Sequence, residues 1–284
     1  MYASFTSGNL LGREFEPFSP PPLQRRSTSP VIAVVNQKGG VGKTTSTINI
    51  AGVLSQLGRK VLAVDFDPQG ALTAGLGVDG NSKDKTIYDL LFDPSLNVKD
   101  AIIHTRFKGL DLLPANIDLS AAEIQLVTEM GRERILQGVL SPVLGDYDAI
   151  LIDCQPSLGL LTVNALTASS GVIIPVSTEY FALRGVALLM DSIKRVKSRI
   201  NPSLEVFGVL PTMYTTNTNH AQESLNRLYE AFGDKLFHTA ISRSIKLPDA
   251  SVAGAPITFY APEHKVAKEY RDATYEILAK KFIA

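Results

Sequence analysis

The sequence predicts an α/β domain built on a mostly parallel, twisted sheet with helices on both faces. Three observations carry this reading. Apolar runs alternate with helical patterns along most of the 284 residues, the order expected when parallel strands are joined by crossover helices. Several runs are nearly continuous in Val, Ile and Leu, which suits strands buried on both faces. A glycine-rich stretch follows the first run directly, and ligands of such sheets sit beyond the carboxyl ends of the strands.

The elements follow in order. Val31-Ile32-Ala33-Val34-Val35 marks a first strand at 31–36, and the pattern after the glycines a helix at 43–57. Further strands are read at 60–65, 110–114, 148–153, 171–176, 204–210 and 237–241. Helical patterns occupy 118–140, broken near Gly131, then 158–169, 182–200, 218–232 and 263–282. The last carries apolar residues at Val266, Tyr270, Ala273, Ile277 and Leu278, a core-facing stripe. No internal repeat is present.

Residues 1–29 are rich in Ser, Pro and Phe and read as a disordered tail, leaving 30–284 as one domain. A short docking motif around Phe15 and Phe18 is an alternative reading of the tail. It lacks the charged start and apolar centre of a secretion signal. No apolar run approaches the length of about 18 residues that a membrane span needs, so no membrane partner is expected. The formal net charge is zero, so any nucleic-acid binding must come from a local patch or from pairing of chains. The single cysteine, Cys154, excludes an internal disulfide and a cysteine-ligated cluster within one chain, and suits a reducing cytoplasm. Cys154 itself reads as a small buried hydrophobe.

Gln37-Lys38-Gly39-Gly40-Val41-Gly42-Lys43-Thr44-Thr45 carries the chemistry. Strand, glycine turn and helix start together make a phosphate cradle, in which successive backbone N–H groups and the positive helix end face the ligand. Lys43 is placed to reach the β and γ phosphates, and the Thr44 hydroxyl to bind Mg²⁺. The competing reading is a glycine turn that binds nothing. The loop departs from G-x-x-x-x-G-K-[ST], having Gln37 where glycine is usual and a second lysine, Lys38, beside it.

Two more strands end in carboxylates. Val61-Leu62-Ala63-Val64 leads to Asp65-Phe66-Asp67-Pro68-Gln69-Gly70; a carboxylate beside Mg²⁺ and the γ phosphate can orient water or hold the metal's outer ligands. Ala149-Ile150-Leu151-Ile152 leads to Asp153, the Walker B pattern, and Asp153 is expected to hold Mg²⁺ through water. Basic residues gather at Lys194, Arg195, Lys197 and Arg199 near a helix end, where they complement its dipole. Arg243 and Lys246 are expected in a loop after a strand. Repeated across a dimer, either group could meet DNA backbone; a solvated face is the competing reading.

On these residues the chain resembles the ParA/Soj/MinD family of deviant Walker A ATPases, and looks most like chromosomal ParA/Soj proteins of actinobacterial type. Lys38-Gly39-Gly40-Val41-Gly42-Lys43-Thr44-Thr45 matches the family loop, and Asp65-Phe66-Asp67-Pro68-Gln69-Gly70 its second motif. Pro114-Ala115-Asn116-Ile117-Asp118-Leu119 and Asp153-Cys154-Gln155-Pro156-Ser157-Leu158-Gly159 extend the match, which covers about 31–280. The resemblance implies a P-loop NTPase fold with ATP and Mg²⁺ as ligands. It implies that Lys38 crosses a dimer interface to the partner's phosphates and that Gly39 stays small because the partner approaches there. Asp67 becomes the position tied to hydrolysis, Asp65 a support of the magnesium site, and Met213 and Ile241 neighbours of the adenine. An ATP-bound homodimer that binds DNA non-specifically, a ParB-like centromere-binding protein that stimulates hydrolysis, and a cytoplasmic, nucleoid-associated location follow by the same route.

Three departures accompany the match. Gln155 replaces the first of two prolines after Walker B. Thr215-Thr216-Asn217-Thr218 stands where relatives often carry an arginine, and Ser242-Arg243-Ser244-Ile245-Lys246-Leu247 where they often read Pro-Arg-Asn-Val-Arg-Leu. Alternatives are a MinD-like positioning ATPase, a nitrogenase-iron-protein-like carrier and an ATP-switched scaffold without DNA. The sequence shows no amphipathic tail for the first and one cysteine against the two per subunit that the second requires.

Overall fold

A computed structural model describes residues 22–23, 27–178, 183–215 and 219–283. Seven strands form one sheet: β1 (Val31–Val34), β2 (Val61–Phe66), β3 (Ile103–His104), β4 (Leu110–Leu113), β5 (Ala149–Cys154), β6 (Gly171–Ser177) and β7 (Glu205–Thr212). Their order is β3-β4-β2-β5-β1-β6-β7. Every pairing is parallel except β3 with β4. The α/β fold expected from the sequence is therefore present, with β5 central and β1 beside it.

Alternate residues of the strands feed two cores. Leu62, Val64, Ile150, Ile152, Val172 and Ile174 pack on one face. There they meet α6 (Ile135–Leu140), α7 (Leu160–Ala168) and α8 (Leu183–Arg199). Ile32, Val61, Ala63, Leu151 and Ile173 pack on the other, against α1 (Lys43–Gln56) and α12 (Lys265–Ala279). Tyr270 and Ile277 of α12 are buried there, as their spacing predicts. The chain enters at Ser29, which is buried and whose N–H and hydroxyl bond the Leu144 carbonyl. The expected tail, with Phe15 and Phe18, lies outside the described residues except for 22–23 and 27–29.

Three expectations fail. No strand forms at 237–241: only isolated bridges, Val209 with Leu236 and Tyr214 with Ser242, are made there. Phe237 N and Ile241 N do reach the Val209 and Pro211 carbonyls of β7, each at 2.9 Å, but His238 N and Ser242 N turn to α12, where the Glu276 carboxylate accepts at 3.1 and 3.0 Å and Glu269 at 2.8 Å, so the segment runs beside β7 without a regular ladder. The helix expected at 118–140 is instead a 3₁₀ turn (Ile117–Ala121), α5 (Ala122–Gln125), a second 3₁₀ turn (Leu126–Thr128) and α6. Gly131, at φ 64°, marks the expected break. Lys246 is not in a loop either, but opens α10 (Lys246–Val252). Short helices α2 (Ala71–Gly75), α3 (Ile87–Phe92), α4 (Val98–Ala101) and α11 (Ile257–Tyr260), and the two-residue β3, are too brief to leave a periodic signal. Between α8 and α10 lies α9 (Asn219–Phe232). Among the described residues no helix is long and apolar enough to cross a membrane.

Candidate nucleotide site

The carboxyl ends of β1, β2 and β5 converge, as parallel register requires. Asp65 and Asp153 are direct neighbours across β2 and β5, and Val34 pairs with Asp153 across β1 and β5. The phosphate loop springs from β1 into this edge and is braced on three sides. Asn36 donates its amide to the Pro175 carbonyl at 2.8 Å and accepts from Lys38 N at 3.0 Å. Gln37 donates to the Gly185 carbonyl at 2.7 Å, tying the loop to the start of α8. Thr212, at the end of β7, donates to the Val41 carbonyl at 2.8 Å. The residue that breaks the usual glycine pattern is thus a strut, a role no motif indicates.

Inside the loop, Gly40 and Gly42 take φ values of 73° and 86°, the left-handed region that glycine enters freely. Gly39 differs: it is not among the positive-φ glycines, and a Cβ built on it meets nothing within 4 Å. Nothing in this chain requires glycine there. The Lys43 ammonium is buried and donates to the Lys38 carbonyl at 3.2 Å. Burial lowers its pKa, opposed by the charges of Asp153 and Asp67. Thr45 is half-buried on the first turn of α1.

Three carboxylates face this lysine or one another, and they differ. Asp65 is fully occupied: Oδ2 accepts from Thr73 N at 2.8 Å and Thr73 Oγ1 at 2.6 Å, and Oδ1 from Asp67 N at 3.2 Å. It therefore braces the β2–α2 turn rather than opening onto the cradle. Asp67 lies just past the end of β2 and accepts only from Gln69 N, at 3.0 Å, among the bonds described. Asp153 accepts from Thr44 Oγ1 at 2.6 Å, while its buried Oδ1 has no partner. Burial, then the neighbouring Asp65, pushes the Asp153 carboxyl well up. An orphaned carboxylate oxygen beside the Thr44 hydroxyl and a buried lysine is the donor set that a phosphate-bound divalent cation completes. Thr44 and Asp153 fit magnesium. Cys154 is buried, and burial and Asp153 hold its thiol well above its ordinary value, so it is no nucleophile.

Met213 follows β7 next to Thr212 and is strained at φ 52°, with its carbonyl accepting from Thr178. Ile241, also expected near adenine, is 2 % exposed within the core. Arg243 is exposed, and Lys246 is tied to Asp249 at 3.1 Å. Asn217 lies outside the described residues. Lys194, Arg195, Lys197 and Arg199 are exposed on the last turns of α8, which runs away from the phosphate-loop edge.

A family model described as an AAA domain matches residues 29–206. Soj of Bacillus subtilis, a sporulation initiation inhibitor protein, is 43% identical over 249 residues, spanning 88% of this chain and 98% of the relative. The chain belongs to the ParA/Soj family. The chromosome partitioning protein ParA of Caulobacter vibrioides is 38% identical over 252 residues, 88% of this chain and 94% of that one. Among solved structures, cobyrinic acid a,c-diamide synthase from Mycobacterium smegmatis, with bound ADP and magnesium, superposes with a TM-score of 0.75 at 37% identity, covering 87% of this chain and 92% of that chain. Soj and ParA relatives cover the phosphate loop and both strands that end in carboxylates, so the sequence-level resemblance holds. Glu123 and Thr73, which hold the loops around the ParA/Soj site, were not singled out by any motif; each is an isolated polar residue whose partners are distant in sequence.

Proposed function

We propose that this chain is an ATP-hydrolysing switch of the ParA/Soj kind, acting in chromosome or plasmid partition. MgATP binds with its phosphates in the loop 38–45 and Lys43 against the β and γ oxygens. Thr44, Asp153 and Asp67 would hold the magnesium. When bound, the metal neutralises phosphate charge. Asp67, whose carboxylate keeps acceptor capacity at the mouth of the site, orients the attacking water. Lys38 is exposed on the loop and reaches the phosphates of a second copy. The observation that carries the dimer is Gly39, which neither backbone conformation nor packing within the chain requires to be glycine. A second chain approaching at that point does require it.

The ATP-loaded pair binds DNA without sequence preference, on the nucleoid, through Arg243 and its symmetry mate, with a ParB-like protein stimulating turnover. Lys246, ion-paired with Asp249 at 3.1 Å on the exposed head of α10, lies three residues on from Arg243 and joins it. Titrating DNA into the ATP-loaded protein across a salt series tests this: affinity should fall steeply with salt. A loaded dimer that ignores DNA at low salt favours the ATP-switched scaffold.

The M. smegmatis neighbour raises amide synthesis as a second reading. An amide synthase that draws nitrogen from glutamine needs a reactive nucleophile such as a thiolate. The only cysteine here is buried with its thiol pushed up, which favours the switch.

A further inference from the structure

We infer that an exposed apolar stripe, Ile117, Ile124 and Val127, is the part of the pairing face that a second copy of this chain covers in the ATP-loaded state. The inference rests on the ATP-dependent pairing proposed above and assigns it a surface.

These side chains are 57, 78 and 52% exposed within eleven positions of one another. Single exposed apolar residues are ordinary, but a contiguous group marks an interaction site. Its place in the fold says which one. The segment leaves β4, which lies beyond β2 and β5 from β1. At about 4.8 Å per strand, the stripe starts roughly 14 Å from the phosphate loop along the same sheet edge. Ile117 walls a hollow of about 530 Å³ with Pro68, Gln69 and Gly70, the residues just after Asp67. Glu123, half-buried next to Ile124, ties the stripe to the other side of the site. Its carboxylate accepts from Leu160 N at 2.9 Å, from Leu161 N at 3.2 Å and from the Gln155 amide. Gln155 lies two residues beyond Asp153, so Glu123 joins the stripe's segment to the loop after Asp153.

The size of the expected interface supplies the choice of occupant. A stable pairing buries on the order of 800 Å² per partner around an apolar centre. The exposed part of the phosphate loop, Lys38–Gly40, is small and polar and cannot provide that centre. The stripe continues the same edge and can. Asp118 and Glu129 flank the stripe, and Arg132 bonds the Val127 carbonyl and pairs with Glu133 at 3.1 Å. The contact proposed is isologous, the same stripe meeting its copy across a two-fold axis.

Sedimentation velocity in saturating ATPγS and magnesium tests this, using the full chain, the I124K/V127K double variant and Gly39→Val. The full chain is expected to dimerise. The double variant should stay monomeric, or pair at least tenfold more weakly, with unchanged ATPγS affinity and thermal midpoint. Should it unfold, Ile124→Lys alone, at a side chain 78% exposed, is expected to weaken pairing in the same direction. A double variant that pairs like the full chain overturns the inference while the dimer stands. A variant that pairs normally but loses stimulation by a partner protein also overturns it and assigns the stripe to that partner. If the full chain binds ATPγS and remains monomeric, the pairing itself fails, and this surface with it.

Discussion

At the scale of single residues, three groups at one sheet edge carry separate expectations. Lys43 is a buried cation with a lowered pKa and carboxylates on two sides, placed so that in the proposed site its charge would hold phosphate. Lys43→Ala should weaken MgATP binding by roughly tenfold to 150-fold, about the 1.5–3 kcal/mol of a charged hydrogen bond; titration with a fluorescent ATP analogue reads it. Asp67→Ala should leave that affinity in place and lower turnover by about 10²-fold or more. Retained phosphate release in that variant would move the role to another group. Asp65 tests the electrostatics separately. Burial, opposed by the bonds from Thr73 and Asp67, pushes it up from 3.8 to about 6. Between those values the folded chain holds a proton that the unfolded chain has released, so the stability from this group is full below 3.8 and lost as pH rises through about 6. The window is worth on the order of 3 kcal/mol. Urea midpoints of the nucleotide-free protein should therefore fall with pH across it more steeply for wild type than for Asp65→Asn. Parallel profiles would contradict the burial argument.

At the scale of elements, what was legible in the sequence was what is local. β1, β2, β4, β5, β6 and β7 announce themselves as apolar runs, and the loop between β1 and α1 by its glycines and lysines. What failed depended on partners far along the chain. The apolar run at 237–241 has strand composition and touches β7 through Phe237 N and Ile241 N, yet Glu276 and Glu269, more than 25 positions away, hold His238 N and Ser242 N, and only isolated bridges form. The helical pattern at 118–140 is real in spacing, but Glu123 is turned to the head of α7 and Asn164 holds Leu136 N and the Arg132 carbonyl, so the segment follows α7 instead of winding on. The same contact gives a prediction. Glu123 places a carboxylate on the first N–H groups of α7, a favourable end for a negative charge. Glu123→Ala should lower the urea stability by about 1 kcal/mol, with most of the loss kept in Glu123→Gln, which removes the charge. Identical unfolding curves for wild type and Glu123→Ala would show that the contact is unused.

At the scale of the molecule, the fold sets a nucleotide site at the centre of one sheet edge and leaves that edge open. The monomer supplies a braced loop, a buried lysine, an orphaned carboxylate oxygen, and a glycine that its own packing does not require. Family membership covers the same span. Together these support the proposal that the chain pairs with a second copy when ATP is bound. The most direct measurement is the molar mass in solution of wild type and Gly39→Val, with and without ATPγS and magnesium, by light scattering. The account predicts a monomer without nucleotide, a dimer with it, and a Gly39→Val protein that binds ATPγS and stays monomeric. A wild type that remains monomeric at nucleotide saturation, or a Gly39→Val protein that pairs like wild type, would contradict it.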